Sequence, residues 1–139
     1  MKRITVLLAD DHTIVREGLR AMLQLEADME VVGEACNGHQ AVAFATKLVP
    51  DVVVMDLAMP LLNGLEALKR IRASTPATTK VLVLSSYDED AYVQQAKALG
   101  ASGYLVKQSD AHVLAAAIRE IYQGRAYFKP IKPISLQCP

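Results

Sequence analysis

Three acids, a hydroxyl and an ammonium close apolar runs in this chain. Asp10 and Asp11 follow Ile4–Ala9, Asp56 follows Val52–Met55, Ser85 follows Val81–Leu84, and Lys107 follows Tyr104–Val106. Carboxylates brought together repel one another by kilocalories at intermediate dielectric, so such a group needs a cation. Three carboxylates with a backbone carbonyl and waters suit Mg2+, a hard ion that takes oxygen ligands in near-octahedral geometry at about 2.0–2.1 Å. With the metal screening its charge, one carboxylate could attack a phosphoryl group to give an acyl phosphate. Lys107 and the metal would supply positive charge to the phosphoryl oxygens, and Ser85 a hydroxyl donor to one of them. Asp56 is the better nucleophile because it stands alone at a central strand end. The adjacent Asp10 and Asp11 are better placed to hold metal.

These residues can meet only if the runs are strands of one sheet. Uninterrupted apolar runs of this length, separated by helical periodicity, read as parallel strands in βαβ units. The expected fold class is α/β: a doubly wound, five-stranded parallel sheet in the order 2-1-3-4-5, with helices on both faces. In such sheets ligands bind beyond the carboxyl ends of the strands, where the winding direction reverses. The strand-end polar residues would converge there.

The first helix is expected from about His12 to Leu25, with Val15, Leu19, Met22 and Leu23 as one buried stripe and Arg16, Glu17 and Arg20 on its polar side. A second strand lies near Met29 to Cys36. Asn37-Gly38 then turns the chain into an Ala-rich helix that ends before Pro50. Asn63-Gly64 precedes a helix carrying a Glu66/Arg70 pair. The acids Asp88-Glu89-Asp90 mark the N-terminus of another, and Ser109 is a plausible cap for the last. After Gly124 the pattern dissolves, so residues 125–139 read as a linker or truncated tail.

At 139 residues and 52% hydrophobic, the chain can bury a single-domain core. Lys+Arg and Asp+Glu are equal at 15 each, which gives no net basic field for nucleic acid. Cys36 and Cys138 lack metal-ligand spacing, and Cys36 reads as a small core residue in a reducing compartment. With no signal-peptide pattern and no apolar stretch near about 20 residues, the expected location is the cytoplasm, without membrane contact.

Asp10-Asp11-His12 with Val15-Arg16-Glu17-Gly18-Leu19, Val32-Gly33-Glu34-Ala35 with Asn37-Gly38, and the run from Pro50 to Pro60 with Asn63-Gly64 resemble the receiver domain of two-component response regulators. The likeness is to the NarL/FixJ (LuxR-type) subfamily in particular, and it spans roughly residues 3 to 124. It implies a flavodoxin/CheY-like fold and a phosphoacceptor, Asp56, that receives its phosphoryl group from a sensor histidine kinase and sheds it by its own chemistry rather than acting as a turnover enzyme. It implies Mg2+ bound by Asp10, Asp11, Asp56 and the backbone carbonyl of Ala58. Ser85 matches the hydroxyl position, Lys107 the phosphate-pairing lysine, and Tyr104 the aromatic switch residue. Gln108 stands where many receivers have proline. A homodimer on phosphorylation, and DNA binding through a C-terminal domain absent from this chain, are further implications.

Other classes fit less well. A dehalogenase-type phosphatase expects a second acid two positions after the nucleophile, where Ala58 stands. An FMN carrier needs a hydroxyl- and glycine-rich phosphate loop after strand one, where Asp10-Asp11-His12 would repel the phosphate. A nucleoside triphosphatase needs a Gly-x-x-x-x-Gly-Lys loop, which is absent. A stand-alone receiver acting through protein contact, without DNA, is the strongest competitor. Isolated strand-end acids are often only helix caps, but the set of acids with Ser85 and Lys107 makes that reading weak. His12, His39 and His112 show no ligand spacing and read as surface or cap residues.

Overall fold

The computed structural model describes residues 2–59, 61–86, 90–107 and 111–128. Strands and helices alternate along them as β1 (Ile4–Ala9), α1 (Thr13–Gln24), β2 (Met29–Ala35), α2 (Gly38–Leu48), β3 (Val52–Met55), α3 (Gly64–Ser74), β4 (Lys80–Ser85), α4 (Asp90–Ala98), β5 (Gly103–Val106), α5 (Ala111–Tyr122) and β6 (Tyr127–Phe128). The strands form one parallel sheet in the order β2-β1-β3-β4-β5-β6. The first five follow the expected winding, with the reversal between β1 and β3.

Alternation of side chains along each strand builds two cores, one on each face of the sheet. Leu7, Ala9, Val53, Met55, Val81 and Val83 pack with Ala41 and Ala45 of α2, Leu68 and Ile71 of α3 and Ala96 of α4. Val6, Leu8, Val52, Val54, Leu82 and Leu84 pack on the other face with Leu23 of α1 and Leu114, Ile118 and Ile121 of α5. Each such buried side chain contributes roughly 1.5–3 kcal/mol. Burial on both faces is why the runs stay apolar until the strand ends, and why polar residues collect beyond them.

Four local features differ from the expectations. The sheet has a sixth strand, because the chain after α5 turns back to the sheet edge. Gly124, with φ +93, ends α5 in a Schellman motif: its own amide donates to the Ile121 carbonyl and the Arg125 amide to Glu120. Gly100, with φ +103, ends α4 in the same way, through Ala101 to Ala96 and its own amide to Lys97. Tyr127 and Phe128 then pair with Gly103 and Tyr104, and a Cβ on Gly103 would come within 2.8 Å of the Tyr127 carbonyl. A two-residue strand is too short to show a period.

The second difference is Cys36, which is exposed rather than in the core, since β2 ends one residue earlier at the fully buried Ala35. Its amide and thiol both donate to Gln40 Oε1. Third, the stripe of α1 is buried only at Leu23; Leu19 and Met22 are half-buried and Val15 is exposed, because the first turns of α1 stand at the rim of the sheet. Fourth, Arg16 and Arg20 are not simply solvated: both pair with Glu34 of β2, at 2.9 and 3.1 Å. The readings placed on Asp88-Glu89, Gln108, Ser109 and residues 129–139 lie outside the described residues, whereas Asp90 opens α4 as expected.

Asn37 and Asn63 cap α2 and α3, accepting the amides of Gln40 and Glu66 at 2.8 and 3.0 Å. Gly64 lets α3 begin against the Asp56–Leu57 backbone, since a Cβ there would meet the Leu57 Cα at 2.4 Å and the Asp56 carbonyl at 2.5 Å. A Cβ on Gly18 in α1 would meet nothing within 4 Å. Gly64→Ala should therefore lose about 1–3 kcal/mol in urea unfolding, whereas Gly18→Ala should gain about 0.5–1 kcal/mol. Equal effects of the two would contradict this packing.

Candidate functional site

Backbone hydrogen bonds across the carboxyl edge of the sheet hold the polar residues in place. The Asp10 amide donates to the Ala35 carbonyl of β2 at 3.0 Å, and the Asp56 amide to the Ala9 carbonyl of β1 at 2.9 Å. The Lys107 amide donates to the Ser85 carbonyl at 2.8 Å. Each site residue is thus fixed by the strand next to it, one step past the end of its own ladder.

Asp10 and Asp56 are each 3% exposed. Lys107 Nζ lies between them, 2.9 Å from Asp10 Oδ2 and 3.0 Å from Asp56 Oδ2. Asp56 Oδ1 accepts the Ala58 amide at 3.2 Å, and Asp10 Oδ1 the His12 amide at 2.8 Å. Arg16 Nη1 donates to the Asp10 carbonyl at 2.6 Å while its Nε reaches Glu34, so α1 and β2 grip the turn that carries the acids. Ser85 is fully buried at the end of β4. Tyr104 is buried in the core beside α4, paired in register with Val83 on one side and Phe128 on the other.

The structure thus brings Asp10, Asp11, Asp56 and Lys107 together, with Ser85 tied to Lys107 through the backbone and Tyr104 inside the same sheet. It brings two further residues, His12 and Arg16, against the acids. His12 is exposed and is the N-cap residue of α1, as expected, and its Nδ1 also lies 3.0 Å from Asp10 Oδ1 and 3.2 Å from Asp11 Oδ1, beside the cluster. Arg16 was seen only as part of a polar helix face. Their adjacency to the paired acids, at +1 and one helical turn further on, was the available signal.

Electrostatics separate the two buried carboxylates. Burial works to raise both, and Lys107 works to lower both. For Asp10 the ammonium and the His12 amide prevail, and its carboxyl lies below the usual range. For Asp56 burial prevails, with the Asp10 charge adding to it, and its carboxyl lies above the usual range. Burial also disfavours the Lys107 ammonium, but the two carboxylates hold its pKa above the ordinary value.

A divalent ion fits this donor set. One ligand atom from each of Asp10, Asp11, His12 and Asp56 lies within 4.8 Å of the others. Asp11 Oδ1 is buried yet accepts no hydrogen bond among the described residues; His12 Nδ1 is within ion-pair distance but directs its hydrogen bond to Asp10. A buried carboxylate oxygen without a donor is costly unless a cation satisfies it.

Comparison with known proteins agrees with this fold. The family described as response regulator receiver domain matches residues 6–119. The chain is 41% identical over 128 residues to the transcriptional regulatory protein DegU of Brevibacillus brevis, covering 92% of this chain and 54% of that protein. It is 40% identical over 127 residues to the response regulator protein VraR of Staphylococcus aureus, covering 91% and 60%. Among solved structures, the receiver domain of the putative response regulator NarL from Mycobacterium tuberculosis superposes with a TM-score of 0.85 at 35% identity, covering 90% of this chain and all of that one.

The chain belongs to the response regulator receiver family. Its relatives are transcriptional regulators of the NarL and LuxR type, and the chain spans only 54–60% of the length of the curated proteins it matches above.

The raised Asp56 pKa has a consequence for stability. A carboxylate whose folded pKa is above its unfolded value, near 3.9, opposes folding wherever it is ionised in both states, and ceases to do so once pH falls below the unfolded value. Asp56→Asn should therefore raise the unfolding midpoint at pH 7, and the gain should shrink toward pH 3.5. Urea titrations of both proteins at the two pH values measure it; a loss of stability at pH 7 would mean that Lys107 pairing outweighs burial at Asp56.

Proposed function

We propose that Asp56 is the residue that accepts a phosphoryl group, from the phosphohistidine of a sensor kinase, with Asp10, Asp11 and the Ala58 carbonyl completing a Mg2+ site. The observation that carries this reading is the half-buried Lys107 ammonium bridging Asp10 and Asp56. In the transfer the donor's P–N bond breaks as a P–O bond forms to a carboxylate oxygen of Asp56, and the freed imidazole of the donor takes a proton from solvent. Lys107 pairs with the incoming phosphoryl oxygens, and the Ser85 hydroxyl donates to one of them. The Ala58 amide keeps Asp56 in one rotamer. A bound Mg2+ would supply the remaining charge neutralisation. The depressed pKa of Asp10 keeps that ligand ionised. The domain is a phosphoacceptor whose own site loads and releases the group, and its setting is the cytoplasm; among the described residues no helix is long and apolar enough to cross a membrane.

Phosphorylation draws Ser85 toward the new oxygens, and Tyr104 shifts in its packing beside α4 and β6. This is a change of population between two arrangements, and moving it from 1:99 to 99:1 takes about 5.5 kcal/mol of preference for the active one. The altered surface pairs two copies of the domain, through α4, β5 and α5 or through α1 and α5. In a protein of the length of its relatives, pairing brings two DNA-binding domains together.

Incubation with Mg2+ and a small acyl phosphate should add one phosphoryl mass to the chain, with none on Asp56→Asn and none in the presence of a chelator; equal labelling of the variant would overturn the choice of nucleophile. Sedimentation with and without beryllofluoride should show a dimer only in its presence. Identical profiles would remove pairing as the output.

A further inference from the structure

At the amino edge of the sheet, a strand's length away from the acids, two cavities adjoin. The smaller, of about 260 Å³, is bordered by Lys80, Lys97, Ser102 and Arg125, and the larger, of about 580 Å³, by Lys2, Lys80, Thr78 and Tyr122. Lys80 and Gly124 line both. Lys80 opens β4 and Ser85 closes it, so this edge lies roughly 17 Å from the carboxyl edge. Among the described residues on the two walls, the cations are Lys2, Lys80, Lys97 and Arg125, and the one acid is Asp51. Asp51 Oδ2 accepts the Thr5 amide and hydroxyl, at 2.9 and 3.1 Å. A concave surface lined mainly by one sign of charge focuses its field on whatever enters it.

Helix C-termini gather at this edge and attract cations by themselves. Lys97, in the last turn of α4, answers that pull and lies 5.3 Å from the Phe128 ring, while Arg125 pairs with Glu120 at 3.0 and 3.1 Å. Lys80 has no such task. It is half-buried at the start of a strand, and its side chain has no ion pair or hydrogen bond among the described residues. An ammonium partly removed from water and left without an anion is costly. We propose that the two cavities form one anion site for a small polyphosphate, free or carried by a nucleoside, with Lys80 as its central contact and Lys97 beside it. A lysine ammonium is a compact charge suited to phosphate oxygens. Tyr122, 39% exposed, lines the larger cavity and offers an aromatic ring to a nucleoside base. Cavities of about 300–1,000 Å³ are the usual size for small ligands. The equal totals of Lys+Arg and Asp+Glu, 15 each, favour such a ligand over a DNA duplex, which needs a broad basic face.

Calorimetric titration of inorganic tripolyphosphate and of ATP into the full chain, with divalent ions absent, tests this. Both should bind, and Lys80→Gln and Lys97→Gln should each weaken both by about tenfold or more, the cost of one hydrogen bond to a charged group. Lys97 is an exposed helix residue, so its variant tests the site even where Lys80→Gln fails to fold. Lys69→Gln, which removes an exposed lysine of α3 that borders neither cavity, should leave both affinities unchanged. Tyr122→Ala should weaken ATP alone where a nucleoside carries the phosphates; unchanged ATP binding in that variant assigns the site to free polyphosphate. The proposal is overturned by no binding of either probe at millimolar concentration, or by equal weakening in Lys69→Gln. It is overturned as well by a DNA duplex that displaces tripolyphosphate at matched phosphate concentration, which would make this edge a nucleic-acid contact.

Discussion

The Lys107 ammonium held between Asp10 and Asp56 is the constraint on which the rest depends. Two carboxylates, each almost inaccessible to water, share one cation, so this pair alone exceeds what Lys107 can neutralise, and Asp11 stands beside it. Burial and repulsion appear as a raised pKa on Asp56, while pairing and the His12 amide depress that of Asp10. Such a site favours a further positive charge, and Asp11 Oδ1, buried without a hydrogen bond among the described residues, lies beside it. Removing a partner from such a group leaves a buried charge uncompensated, which costs far more than the pair contributes when intact.

The fold is arranged to hold that tension. The parallel sheet ends its ladders within a residue or two of each other at the carboxyl edge, and the next amide of each strand reaches across to its neighbour. Arg16 ties α1 and β2 to the same turn, and Gly64 allows α3 to start directly against the Asp56 carbonyl. These groups cost little individually. Together they leave the acids few ways to turn away from one another, so the repulsion is retained as readiness to bind rather than relaxed by movement.

A line of backbone contact leads away from the site. Ser85 accepts the Lys107 amide, β4 and β5 share their register, and Tyr104 of β5 pairs with Phe128 of β6, whose ring sits 5.3 Å from the Lys97 ammonium of α4. The last described residues of the chain therefore form the strand beside the aromatic residue proposed to respond to phosphorylation. A change in packing at Tyr104 has α4 and β6 as its immediate neighbours.

The apolar runs, their spacing and the polar residue at each run's end were legible in the amino-acid order, because a strand buried on both faces tolerates no polar side chain until it leaves the core. That pattern carried the parallel α/β class and the strand-end placement of Asp10, Asp11, Asp56, Ser85 and Lys107, whereas the order 2-1-3-4-5 was an expectation from doubly wound sheets that the first five strands follow. The tertiary structure alone decided that His12 joins the acids, that Arg16 grips the Asp10 turn, that Cys36 lies outside the core and that Tyr127 and Phe128 extend the sheet. Each of these depends on where a single ring, guanidinium or two-residue segment comes to rest against a neighbour distant in sequence. Such placements follow from packing between elements, and no periodicity within one element encodes them.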